Sequence, residues 1–181
     1  MKFKPNDKSG GVAIEMGPAE RELPGQTPAL LPVFSLKKIL VPVDFSACSE
    51  KAVVYAAALA KQFHAETTLL HVVEPYPAVP EMPPVDLEPV DNARKELEVL
   101  RLTIGDAALS ATALRTGNPN FEIVEAAKEL ESYLIVISTH GRTGLARAIL
   151  GSTAERVVRH APCPVLIVRE KEHEFVSSRE W

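Results

Sequence analysis

Cysteine is scarce in this chain: Cys48 and Cys163 are the two present, and they lie far apart. That argues against a disulfide framework and makes the cytoplasm the expected compartment. Cys163 stands between two prolines ahead of an apolar run and reads as a small buried thiol. No apolar run approaches the roughly 18–20 residues that a membrane span needs. The opening Met-Lys-Phe-Lys-Pro-Asn-Asp-Lys has no apolar core behind it, so no secretory signal is expected. Positive charge is not in excess either. The net charge is −4, which predicts no general affinity for nucleic acid or an anionic membrane.

What is present suits one soluble globular domain with a good core: 181 residues, 46% hydrophobic and 24% charged. Residues 1–36 hold five of the 15 prolines and four of the nine glycines. No helical or strand period survives there, so they read as a flexible N-terminal extension with a short turn or two. Order is expected over residues 37–170, and residues 171–181 form a tail.

Residues 39–43 are short, apolar and β-branched, like a buried parallel strand. The strand ends at Asp44-Phe45-Ser46, where Ser46 suits an N-cap. The helix after it places Ala52, Ala56, Leu59 and Phe63 on one face. Residues 67–73 read as a second strand. Residues 75–89, with six prolines, read as an extended loop insertion of polyproline character. They serve as a connector in the plainer reading, and otherwise as a lid or partner-binding segment. A helix follows from about 90 to 102, with charge pairs such as Arg94 with Glu98. Residues 108–115 form a third strand. Thr116-Gly117-Asn118-Pro119 is a turn, with Asn118 the N-cap and Pro119 the first helical residue. Ile123, Ala126, Ala127 and Leu130 form the apolar face of the next helix, and residues 133–137 the fourth strand.

The stretch from 134 to 168 organises the rest. Its apolar run stops at Ser138-Thr139-His140-Gly141-Arg142-Thr143-Gly144. Gly151-Ser152-Thr153-Ala154 then opens a helix, and residues 165–168 form a proline-bounded strand. The order is β-α-β-α-β-α-β-α-β. It predicts an α/β fold: a five-stranded doubly wound parallel sheet with helices on both faces. Ligands of such sheets bind beyond the carboxyl ends of the strands, where the strand order switches. Asp44 and residues 138–144 would face each other across that crevice. Gly141 and Gly144 let backbone amides approach an anion. Ser152 and Thr153 offer hydroxyls and open N–H groups at a positive dipole end, and Arg142 and Arg147 add charge.

At these residues the sequence resembles the universal stress protein family, over about residues 36–169. The resemblance rests on Val41-Pro42-Val43-Asp44-Phe45-Ser46, on Leu70-His71-Val72-Val73, on Thr116-Gly117-Asn118-Pro119 and on most positions from Thr139 to Val168. It implies the fold shared with adenine nucleotide alpha-hydrolase-like proteins. It also implies a regulatory module in stress response that binds ATP, with Mg²⁺, or another adenine nucleotide. Pro42, Val43 and Asp44 would lie beside the nucleoside, and the backbone near Val72 would contact the adenine. Ser138 to Gly144 and Gly151 to Ala154 would hold the phosphates. A homodimer through the apolar edge strand at 165–168 is implied as well, with further protein partners unnamed.

The ATP-binding branch of the family carries Gly, two residues, Gly, nine residues, then Gly-Ser or Gly-Thr. Gly141 and Gly151-Ser152 fit, but position 138 is Ser. That departure sets a second reading beside the first: a nucleotide-free dimeric scaffold acting through protein partners. A third reading, an enzyme such as a nucleotidyl transferase or ATP pyrophosphatase, lacks the HxGH, KMSKS and SGGxDS signatures. Ser9-Gly10-Gly11 follows no strand and lacks the Asp-Ser continuation. No Walker A loop, dinucleotide GxGxxG or Ser/His/Asp set occurs. Slow ATP hydrolysis is the most that is expected, because no residue stands out as a general base. Plainer readings stand beside the sharp ones. Asp44 either meets a ligand or caps its own turn. His140 reads as a loop residue without metal partners, and His71 as a packing residue. Arg156, Arg159 and His160 read as a solvated face suited to a helix C-terminus.

Overall fold

The computed structural model describes residues 2–5, 12–15, 35–75, 88–104, 110–139, 150–169, 171 and 176. The chain divides into two units, residues 1–34 and 35–181. In the first unit β1 (Lys2–Pro5) pairs antiparallel with β2 (Val12–Glu15), Phe3 opposite Ile14. The sequence reading expected no strand in residues 1–36. Two strands of four residues each are too short to display a period.

The second unit contains β3 (Lys38–Pro42), α1 (Ala47–Phe63), β4 (Glu66–Val73), α2 (Glu88–Ile104), β5 (Ser110–Thr116), α3 (Pro119–Glu129), β6 (Leu134–Ser138), α4 (Ser152–His160) and β7 (Val165–Val168). Five strands pair in parallel in the order β5-β4-β3-β6-β7. Ile39, Leu40 and Val41 are buried in succession, as are Ile135, Val136 and Ile137. A strand covered on both faces has no polar face to show, which is why these runs do not alternate.

Alternation reappears in what the side chains pack against. Ile39, Val41 and Val136 join one apolar cluster with Ala52, Ala56 and Leu97, under α1 and α2. Leu40, Leu70, Ile135 and Ile137 join a second with Ile123, Ala127 and Val157, under α3 and α4. The helices therefore cover opposite faces of the sheet. Val176 of the C-terminal tail packs against the first cluster.

Ser46 caps α1 by accepting from Ser49 N, and His64 closes the helix in the left-handed region. The buried stripe of α1 is Ala52, Val53, Ala56, Ala57 and Ala60. Phe63, expected on that face, lies at the frayed end and stays 37% exposed. Small alanines let α1 approach the sheet closely. On α2, Glu98 pairs with Arg101 one turn on, which holds the Glu98 carboxyl below its usual range. Asn118 caps α3 by accepting from Asn120 N, with Pro119 in the first turn. Gly117 has φ +153° and approaches the Glu122 side chain, so a β-carbon there would be strained. Arg115 bridges Glu122 and Glu129 of α3, and these carboxylates hold its guanidinium above its usual range.

Leu40 is fully buried in the central strand, whereas Val99 on α2 is 65% exposed. Leu40→Ala should therefore lower unfolding free energy by about 2–5 kcal/mol. Val99→Ala should change it by less than about 0.5 kcal/mol. Urea denaturation of the two variants checks both.

Candidate functional site

The strand order runs outward in both directions from the β3/β6 pair, so the sheet switches direction there. Beyond the carboxyl ends of these strands lies a cavity of about 810 Å³. This is the place and the size range in which α/β sheets bind small molecules.

One wall is the turn after β3. Val43 N donates to Leu70 O (2.8 Å), and His71 Nδ1–H donates to Val43 O (2.8 Å). Asp44 Oδ1 accepts from Ser46 N (3.1 Å) and from Ser46 Oγ–H (2.6 Å). Ser46 Oγ in turn accepts from Ser49 N (3.2 Å), and Ser49 Oγ–H donates to Ser46 O (2.9 Å). Asp44 therefore does cap its own turn, the plainer reading, and it also lines the cavity. Phe45 takes φ +62°, a left-handed conformation that costs an L residue about 1–2 kcal/mol. Its ring lies on the His71 ring, with centroids 4.5 Å apart.

The opposite wall joins β6 to α4. Ser138 is the last residue of β6, paired with Val168, rather than part of the following loop as expected. Thr139, 2% exposed, donates its N–H to Val168 O (2.9 Å). Gly151 N donates to Thr139 O (2.8 Å), and a β-carbon on Gly151 would stand 2.7 Å from that oxygen. Only glycine fits so close an approach. Gly151 is the N-cap of α4 and provides no side-chain cap. The first-turn amides of α4, at Ser152, Thr153 and Ala154, thus open on the cavity these residues line.

Of the expected site residues, Pro42, Val43, Asp44, Val72, Ser138, Thr139, Gly151, Ser152, Thr153 and Ala154 all line this cavity. His140, Gly141, Arg142, Thr143 and Gly144 lie outside the described residues. The lining residues that the sequence reading did not assign to the site include Phe45, Glu74, Asn92 and Glu96. Asn92 and Glu96 stand one turn apart early in α2. The order β4, loop, α2 already implied that α2 begins at the carboxyl end of the sheet, and that was the available signal. His71 also lines the cavity, so it does more than pack. Ile123 and Ile137 supply apolar surface, and Asp44, Glu74 and Glu96 supply acidic groups. Among the described residues no group of three or more His, Cys, Asp or Glu could hold a metal ion.

The sequence pattern of the universal stress protein family matches residues 35–169, which span the whole sheet and both walls of the cavity. The chain belongs to the universal stress protein family. It is 37% identical over 144 residues to universal stress protein MJ0531 of Methanocaldococcus jannaschii, covering 76% of this chain and 85% of that protein. It is 31% identical to universal stress protein E of Salmonella typhi, covering 71% of this chain and 43% of that longer protein. Universal stress protein UspA of Lactobacillus plantarum shares the fold with a TM-score of 0.61 at 29% identity, over 76% of this chain and all of that one. Two further universal stress protein structures share the fold at lower identity. One is in complex with cAMP (TM-score 0.61, 22% identity, 76% of this chain and 100% of that one). The other, from Archaeoglobus fulgidus, is in complex with dAMP (TM-score 0.57, 23% identity, 75% and 99%).

Of the other positions singled out from sequence, Arg156, Arg159 and His160 lie at the surface, and Arg147 lies outside the described residues. Arg156 is over the Phe121 ring (5.1 Å), Arg159 pairs with Glu155, and His160 Nδ1–H donates to Arg156 O. Cys163 is half-buried, and burial pushes its thiol pKa up. Gly151→Ala should lower stability by about 1–3 kcal/mol, because α4 must move off the Thr139 carbonyl. A thermal melt beside wild type checks this.

Proposed function

We propose that this chain is a regulatory module that binds an adenine nucleotide, ATP with Mg²⁺ foremost, and acts in stress response without being an enzyme. The observation that carries the reading is the α4 N-terminus. It is pinned by the Gly151–Thr139 contact and opens on an 810 Å³ cavity at the switch in strand order. First-turn amides and a positive dipole end favour a phosphate there. The apolar wall of Val43, Val72 and Ile137 offers a surface for a base, and Asp44 sits where a ribose hydroxyl could donate to it. Nucleotide complexes of other proteins with this fold agree with an adenine base. Residues 140–144 complete the phosphate contacts in this reading.

A nucleotide-free scaffold is the second reading, and Ser138 favours it. This residue stands where the ATP-binding pattern has glycine, 9% exposed at the cavity wall. Dimerisation belongs to both readings. β7 is an edge strand whose Val165, Leu166 and Ile167 are each only partly buried, and an apolar edge invites a second copy.

Titration calorimetry with ATP and Mg²⁺, after acid extraction of co-purified nucleotide, separates the readings. Micromolar binding or a retained adenine nucleotide is expected. No heat at millimolar ATP would leave the scaffold. Asp44→Ala should weaken ATP by about 10- to 100-fold, the loss of one charged hydrogen bond. Ser138→Gly should strengthen it. In light scattering the wild type should have twice the chain mass, and Ile167→Lys should halve it by placing a charge on the shared edge. A wild-type monomer at every concentration would end the dimer proposal.

A further inference from the structure

We propose that His71 is a positioning residue for Asp44. In this role its Nδ1–H, bonded to the Val43 carbonyl, holds the β3–α1 turn in the shape that presents Asp44 to the cavity. The proposal rests in part on the nucleotide reading, and its test separates the two.

β3 ends at Pro42, and the chain must turn within a few residues to start α1 at Ala47. From the α1 side, Ser46 and Ser49 hold the turn. From the β4 side, two bonds hold it: Val43 N to Leu70 O, and His71 Nδ1–H to Val43 O, both 2.8 Å. Between these restraints sit Asp44 and Phe45, the latter at φ +62°. An aromatic L residue does not stay in that region unaided. His71 restrains it twice, through the carbonyl one residue before Asp44 and through the ring that lies 4.5 Å from Phe45. The carbonyl can only accept, so Nδ1 carries a proton, and in the neutral ring that fixes the tautomer. His71 is half-buried in the cavity wall, next to the residue it orients.

Two variants divide the roles. His71→Phe keeps a ring against Phe45 and removes the donor. His71→Asn loses the ring and places an amide Nδ2 where Nδ1 stood. In ligand-free protein, NMR should show the Asp44 and Ser46 amides displaced and less protected in H71F and near wild type in H71N, where loss of the ring shifts Phe45 alone. Long-range ¹H–¹⁵N spectra of wild type should show the Nδ1–H tautomer at neutral pH. An Nε2–H tautomer, an undisturbed turn in H71F, or equal disturbance in both variants would overturn the proposal. ATP affinity should fall about tenfold or more in H71F and stay within roughly threefold in H71N, while both melt cooperatively. Equal affinity in H71F and wild type, or no rescue in H71N, would also overturn it. Should wild type bind no ATP, the nucleotide reading fails by itself, and the tautomer and turn amides still decide the role of His71. Should H71F fail to fold, H71N and the wild-type tautomer decide it.

Discussion

The backbone of Gly151 lies against the carbonyl of Thr139, and most of the candidate site depends on that contact. Apolar burial explains why α4 lies on the sheet: Ala154 and Val157 are buried in the cluster beneath it. Burial sets the rotation of a helix about its axis more firmly than its position along the axis. The 2.8 Å bond from Gly151 N to Thr139 O supplies the missing coordinate. With the helix start fixed there, its first-turn amides open beyond the end of β6 and nowhere else. Thr139 is itself fixed by its bond to Val168 O, so the ends of β6 and β7 and the start of α4 meet at one residue. A single absent β-carbon makes that junction possible.

The facing wall is built on the opposite principle. Glycine would adopt the left-handed conformation at position 45 without strain, yet the chain has phenylalanine there. The strain is offset by contacts that glycine could not make. The Phe45 ring lies on His71 and packs against the first apolar cluster. One wall is thus set by an absent side chain and the other by a large one. Each couples a backbone turn to buried structure behind it.

These differences explain what the sequence could reveal. The five strands were legible because parallel strands buried on both faces read as unbroken apolar runs, as at Ile39 to Val41. Ser46 and Asn118 were legible as caps because capping is local chemistry. Phe63 was not, because helical spacing assigns a face without saying where the sheet ends beneath it. The hairpin of β1 and β2 was hidden by strands of four residues. Ten of the expected site residues reached the cavity wall because they sit at strand ends or at the start of α4, where topology alone decides their neighbourhood. Asn92 and Glu96 depend on how a crossover helix lies across the sheet, and no spacing within α2 records that. His71 looked like packing because its partner, the Val43 carbonyl, is 28 residues away in sequence.

Among the described residues the cavity is electrically lopsided, and that bears on what it can hold. The α4 amides give one side a partial positive charge, while Asp44, Glu74 and Glu96 line the remainder with carboxylates. An anion that filled the whole cavity would meet like charge at Asp44, half-buried, and at Glu74 and Glu96, which are exposed and partly screened by water. A bare polyphosphate is therefore a poor match. A ligand with its negative charge at one end and hydrogen-bond donors at the other satisfies both sides, and the chain's net charge of −4 leaves little general attraction for anions to override that demand. Ribose hydroxyls and an exocyclic amino group are donors of this kind, and phosphate is the matching anion. In the proposed reading, a nucleotide matches this polarity better than phosphate alone does.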